Sequence, residues 1–258
     1  MRRRRLRAAV ALAGVLIGAA VAVVLVAGPS TPSPAESALP ASPRSALAPE
    51  NVALGPRPAA YWAPVVADTV ARSRPSGEVA VAAVPRRTPE GTANIVLILG
   101  GAERRSGTLW VRVRAPGLPD DVRGWVPRSA LGGYTAVRTR LVVDRARLTA
   151  TLLRDRRPLL RSRVAVGKPS TPTPSGDFYV RNQLRKYESP FYGPVAFGTS
   201  ARSAEATDWP AGGFVGIHGT DRPDLIPGRV SAGCIRMSNR DIVRLARLMP
   251  VGTPVTVL

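Results

Sequence analysis

The sequence predicts a mainly β protein with one short helix close to its C terminus, and three observations carry that expectation. Residues 109–114 (LWVRVR) alternate apolar and basic side chains with the period of two that marks a half-buried strand. Apolar runs at 94–99 (NIVLIL), 141–143 (LVV), 148–153 (LTATLL) and 162–166 (SRVAV) are short and lie among Gly, Pro or charged turn residues. A helical period follows Ser238, where Ile242, Leu245, Leu248 and Met249 fall on one face.

Taken in order, the chain opens on Arg2, Arg3, Arg4, Arg5 and Arg7, and residues 8–27 then form an uncharged run of Ala, Val, Leu, Ile and Gly. Twenty residues at ~1.5 Å rise span a hydrocarbon core of ~30 Å. That is longer than the ~7–15-residue apolar core of a cleaved signal peptide. Residues 1–28 are therefore expected to be a transmembrane signal-anchor. Its arginines stay inside by the positive-inside rule, and residue 29 onward lies outside the cytoplasmic membrane, in the cell envelope. Cleavage near Ala27 and Gly28, with secretion, is the alternative. Residues 29–60 are rich in Pro, Ser and Ala without apolar periodicity, so they cannot offset their ordering entropy and read as a semi-extended spacer.

Residues 61–134 read as a small β domain. Strands are expected at 79–81, 94–99, 109–114 and 123–127, the last following a Pro-Gly and Asp-Asp turn. Trp110, Val113, Gly124, Trp125 and Val126 resemble the W-x-x-V and G-W-V pattern of small bacterial SH3-like barrels. Trp125 is read as core, which leaves wall binding by this module as one option only.

Residues 137–258 read as one further domain. Charged turns at 144–145 and 154–157 separate its first strands. Pro169, Pro172 and Pro174 imply an extended loop, and residues 214–217 (FVGI) form a strand that delivers His218 at its end. Ser238 and Asp241 make a capping box for the helix, Pro250 stops it, and residues 255–258 (VTVL) close the sheet.

The chain carries 37 Lys and Arg against 17 Asp and Glu, a formal net charge of +20. Such a balance favours an anionic partner. Nucleic acid is disfavoured, since recognition-helix patterns, aromatic and basic interleaving and zinc spacings are all missing. The arginines are spread along the sequence, as on a solvated, wall-facing surface. With a single cysteine no intramolecular disulfide forms, so the fold must stand on its core.

Residues 217–237 (IHGTDRPDLIPGRVSAGCIRM) hold the only histidine, His218, and the only cysteine, Cys234. Two readings stand on residue types alone: a buried apolar cysteine beside an unrelated core histidine, or a nucleophile and its base. A thiolate needs a base for its proton and a cationic setting, which His218 and Arg236 can supply. Gly233 lacks a Cβ and admits close approach of backbone or substrate. One His and one Cys cannot fill a four-ligand shell, so no metal is expected, and no cofactor either.

The string His218-Gly219-Thr220, Arg222-Pro223, Ile226, Gly228, Ser231-x-Gly233-Cys234-Ile235-Arg236 resembles the active-site signature of YkuD-type L,D-transpeptidases. Val166-Gly167-Lys168 through Phe178 resembles the GKP…TPTPxGxF segment of the same family, so the resemblance covers residues 137–258. Ala232 departs from the pattern, standing where many relatives carry a second histidine. The resemblance implies a β-sandwich catalytic domain with a short C-terminal helix, preceded by the SH3-like barrel and the membrane helix. It implies Cys234 as nucleophile, His218 as base, the Gly219 carbonyl orienting the imidazole, and backbone N–H groups of Gly233 and Cys234 stabilising an oxyanion. Arg236, Ser231 and Thr220 fall on the substrate side. Arg236 either binds a stem carboxylate or pairs with an acid of the fold, and Ser231 is also readable as a turn hydroxyl. The implied partners are peptidoglycan stem peptides, the membrane through the N-terminal helix, and carbapenem-type β-lactams as inhibitors. Papain-like and NlpC/P60 hydrolases place cysteine before histidine, against the order here. Two other outcomes are compatible: an L,D-carboxypeptidase using the same residues, or a non-catalytic anchored wall-binding protein.

Overall fold

A computed structural model of the protein describes residues 60–185, 189–203, 209 and 212–258. The anchor expected at residues 1–28 and all of the spacer but Ala60 lie outside the described residues. Among the described residues no helix is long and apolar enough to cross a membrane.

Seven strands make the first sheet: β1 (Ala60–Pro64), β2 (Thr69–Arg72), β3 (Ala80–Val84), β4 (Ile95–Arg105), β5 (Thr108–Arg114), β6 (Arg123–Pro127) and β7 (Thr135–Val137). Their order is β3-β2-β6-β5-β4-β1-β7. The alternation in β5 holds only from Val111 to Val113, with Arg112 exposed between two buried valines; it fails at Trp110, buried beside Val111, and at Arg114, which is buried too. Its guanidinium donates to Asp177 O at 2.8 Å and pairs with Asp121 at 2.7 Å, so it reaches into the C-terminal half instead of solvent. Trp125, expected in the core, is only half-buried. Gly124 and Val126 take the inward positions of β6, so the pleat turns Trp125 to the other face, over Gly101. The buried indoles of this half are Trp62 and Trp110.

The second sheet contains β8 (Thr139–Asp144), β9 (Thr149–Arg154), β10 (Arg157–Arg163), β11 (Ala165–Gly167), β12 (Gly176–Arg185), β13 (Val195–Arg202), β14 (Phe214–His218), β15 (Gly228–Ser231), β16 (Ile235–Arg236) and β17 (Pro254–Val257). Its order is β10-β9-β8-β17-β12-β13-β14-β16-β11-β15. The last strand joins this sheet, as expected. It lies in the middle, parallel to β8 and antiparallel to β12, where Val255 and Val257 are buried.

One helix, α1 (Asn239–Leu248), lays Ile242 and Leu245 onto a core that includes Leu141, Phe178, Phe197, Ile217 and Ile235. Ser238 Oγ accepts the Asp241 N–H at 3.1 Å, the expected cap. The Asp241 carboxylate accepts from Ser162 Oγ at 2.8 Å and so ties the helix to β10.

Both sheets belong to one compact unit. Trp62, Ile95 and Leu97 cluster with Val137 and Tyr179, and the Tyr179 hydroxyl donates to Ile95 O at 3.1 Å. Asp120 accepts the Arg202 N–H at 2.8 Å.

Candidate active site

β14 and β16 run side by side and parallel, with Ile217 opposite Ile235 and His218 opposite Arg236. That pairing gathers two ends of a sixteen-residue separation onto neighbouring strands. Cys234 immediately precedes β16, wholly buried, and its Sγ accepts the N–H of Gly216 from β14 at 3.3 Å.

The turn before Cys234 is held from several sides. Ser231 Oγ donates to Cys234 O at 2.6 Å and accepts the Gly233 N–H at 3.1 Å. Gly233 has φ +119°, a conformation that side-chain-bearing residues rarely adopt. Its carbonyl accepts from Thr173 Oγ1 at 2.8 Å, and that same oxygen accepts the Gly167 N–H at 2.9 Å. The proline-rich 168–175 loop is thus packed beneath the cysteine turn. Thr171 Oγ1 and the Lys168 N–H both donate to Ser231 O.

His218 is wholly buried, and its Nδ1 lies 2.6 Å from the carbonyl oxygen of Gly219. A carbonyl only accepts, so Nδ1 carries the proton and Nε2 is left with its lone pair. Nε2 is buried with no hydrogen-bond partner. Burial lowers the imidazole pKa from 6.5 to about 4; the Gly219 hydrogen bond opposes this, Arg236 adds to it, and Asp221 opposes it. The ring is therefore neutral near pH 7. Tyr192 meets it edge-on with centroids 4.9 Å apart, and Phe191 lies at 5.7 Å. Arg236, buried, stacks its guanidinium 4.5 Å over the Phe191 ring, a contact absent from both sequence readings of it.

Two expectations change here, and one of two readings is selected. Thr220, expected on the substrate side, and Ser231, read either there or as a turn hydroxyl, are 2% and 1% exposed. Thr220 Oγ1 accepts the Arg222 N–H at 3.0 Å, and Ser231 fastens the cysteine turn, so both hydroxyls hold their own loops. The Gly233 N–H, expected as an oxyanion donor, is directed to Ser231 Oγ, because that hydroxyl sits inside the turn that the glycine makes. Ala232 is partly exposed at the tip.

Asn239 had no part in the sequence reading. As the first residue of α1, it accepts the Thr220 N–H on Oδ1 at 2.9 Å. A Cβ on Gly219 would stand 2.3 Å from that oxygen and 3.1 Å from the Cα of Gly193. Asn239 therefore fixes the peptide whose carbonyl orients His218. A polar amide just after a helix cap was the only sequence signal, and it reads as capping. Replacing Asn239 by alanine is expected to cost about 1–3 kcal/mol for the unmet N–H, and to slow alkylation of Cys234. Asn239→Asp keeps an acceptor and should retain most of both, as thermal unfolding and alkylation rates would show.

Among the described residues no group of three or more His, Cys, Asp or Glu is placed to hold a metal ion. The family profile of the L,D-transpeptidase catalytic domain (YkuD) matches residues 138–257. A Bacillus subtilis protein described as the L,D-transpeptidase YkuD is 36% identical over 142 residues, 55% of this chain and 71% of that protein. Its Bacillus licheniformis counterpart is 39% identical over 94 residues, covering 36% of this chain and half of its own length. Among solved structures, the catalytic domain of the E. faecium L,D-transpeptidase acylated by ertapenem is 28% identical, with a TM-score of 0.37. That match covers 47% of this chain and 97% of that one. With its histidine ending one strand and its cysteine immediately before the strand paired to it, both inside the matched region, the chain belongs to the YkuD family of L,D-transpeptidases.

Proposed function

We propose that this protein cross-links peptidoglycan by cysteine acyl transfer. The carrying observation is the orientation of His218: its Nδ1 proton is spent on Gly219 O, which leaves Nε2 as a buried lone pair on the strand beside the cysteine. Cys234 gives its proton to Nε2, and the thiolate attacks the carbonyl between the diamino acid and the terminal D-alanine of a stem tetrapeptide. The oxyanion formed is met by the Cys234 N–H, since that of Gly233 is engaged by Ser231. On collapse the C–N bond breaks, the imidazolium protonates the departing D-alanine amine, and a thioester remains on Cys234. An amine of a second stem then attacks the thioester, Nε2 takes its proton, and the thiol is restored. The product joins two third-position residues. Arg236 is the candidate for a substrate carboxylate, braced by Phe191.

Carbapenem-type β-lactams fit the same chemistry, since a strained lactam carbonyl presents an equivalent electrophile. The first sheet is proposed as an SH3-like module next to the catalytic domain at 137–258. Residues 1–28 are proposed to anchor the protein with the active site in the cell envelope, and retention in membranes through a carbonate wash would support this. Release into the wash, or a mature terminus between residues 25 and 40, would reverse it.

Muropeptide mass spectrometry tests the function. Tetrapeptide substrate should yield a cross-linked dimer with release of D-alanine. Tripeptide without dimer makes the protein an L,D-carboxypeptidase, and unchanged substrate leaves the wall-binding reading.

A further inference from the structure

A buried ion pair outside the Cys234 site draws one member from each sheet's half: Arg181 of β12, its side chain 1% exposed, and Glu90. Glu90 lies in the turn between β3 and β4, closed by Thr88 N–H to Thr92 O at 2.8 Å and Gly91 N–H to Thr88 O at 2.9 Å. Its side chain is 3% exposed and projects into the half that carries the cysteine. Oε1 accepts from Arg181 Nη2 at 2.8 Å and from the indole Nε1 of Trp209 at 2.5 Å. Oε2 accepts from Asn182 Nδ2 at 3.1 Å, and that amide also reaches Thr92 Oγ1 at 2.9 Å. Burial pushes the carboxyl pKa up, but the Arg181 charge and the Trp209 N–H outweigh it and hold Glu90 below the usual value. It is a buried, fully engaged carboxylate.

Each partner leads toward the site. Arg181 and Asn182 occupy the irregularity of β12, where the register against β13 shifts between Val180 and Asn182. Arg181 lies 3.8 Å over the ring of Phe214, the first residue of the strand that ends at His218. The Trp209 ring fills the space that a side chain at Gly216 would need, since a Cβ there would fall 2.1 Å from its Cζ3. Gly216 is the residue whose N–H donates to Cys234 Sγ. Trp209 also meets Tyr192 edge-on at 5.8 Å, and Tyr192 meets His218 at 4.9 Å.

We propose that Glu90 is a positioning residue of the Cys234 site, holding Trp209 against Gly216 and Tyr192 so that thiol and imidazole keep their places. This rests on the reading of Cys234 as nucleophile. The first sheet is then part of the catalytic apparatus. Its β3–β4 turn supplies the carboxylate that accepts from the Trp209 indole.

The test uses the full chain and two reporters: the rate of carbapenem acylation, and the pH profile of Cys234 alkylation by iodoacetamide. Trp209→Phe removes the indole N–H while leaving the Glu90–Arg181 pair intact, and Glu90→Ala removes the acceptor. Each should slow acylation roughly tenfold to a hundredfold, the scale set by misplacing a reacting group. The loss should fall on the maximal acylation rate more than on half-saturation, with a displaced alkylation profile. In the double variant acylation should be within about twofold of the slower single variant, because both changes break one path. Glu90→Gln, whose amide oxygen still accepts from Trp209, should recover part of the loss. Trp209→Phe acylating within about twofold of the parent overturns the proposal, as do single effects that multiply. Should Glu90→Ala not fold, Trp209→Phe alone decides. A folded parent that takes no adduct would instead remove the nucleophile reading itself.

Discussion

Full-length protein carrying Cys234→Ser is expected to take up no carbapenem, while the parent chain gains one carbapenem mass on the peptide containing Cys234. Acylation forms an Sγ–carbonyl bond, breaks the lactam C–N bond and passes the proton from His218 Nε2 to the ring nitrogen. It therefore needs thiol, base and oxyanion donors together, where a simple alkylating agent needs only the thiolate and no oxyanion donor. A serine hydroxyl ionises far less readily than a thiol. The His218 imidazole is oriented by a carbonyl and not by a carboxylate, and such a base activates a hydroxyl poorly. Cross-linking turnover should fall with the adduct, by at least about a hundredfold. An adduct that survives in Cys234→Ser, or its failure to appear on the folded parent, would contradict the assignment.

The acid limb of activity should lie near pH 4, well below the pH of about 6.5 at which an ordinary histidine titrates. The same shift makes a stability statement. Burial lowers the folded-state pKa of His218 below its unfolded value, so between about pH 4 and 6.5 the unfolded chain binds one more proton at this position. The contribution is complete above the unfolded pKa and is lost as pH falls toward the folded one, a change of about 3 kcal/mol. His218 is the only histidine, so a His218→Asn protein isolates this term from the carboxylates that titrate nearby. Denaturant unfolding from pH 7 to 4 should show the parent losing more stability than the variant, by about that amount. Parallel curves would mean that the imidazole is not held neutral by burial. His218→Ala should also cut turnover at least about a hundredfold, and near-normal turnover would show that another group is the base.

Local pattern carried much of the fold because strands and caps are written in neighbouring residues. The strand over 109–114, with its alternation kept at 111–113, the FVGI run ending at His218 and the Ser238 cap all appear where the sequence placed them. The pattern misled at Arg114 and Trp125, since alternation reports which side of a strand a residue takes and not what waits there. Arg114 meets the second sheet and Trp125 an outer face over Gly101. The position of β17 was illegible for a related reason: four residues reading PVTV suit an edge or a centre, and only pairing with β8 and β12 selects the centre.

The division is similar at the site. By itself the sequence determined the chemistry available, one thiol and one imidazole in a glycine-rich string that admits close backbone approach. Tertiary structure decided which groups serve that chemistry. The parallel pairing of β14 with β16 sets His218 opposite Arg236, and the hydrogen bonds of Ser231 and Thr220 turn both hydroxyls inward. Asn239 joins through a contact across 19 positions of chain, Trp209 and Glu90 through one across 119, and both sets through the space that a missing Cβ leaves at Gly219 and Gly216. A side chain's partner at such separation is set by how sheets pack, and no periodicity within a single strand or helix records it.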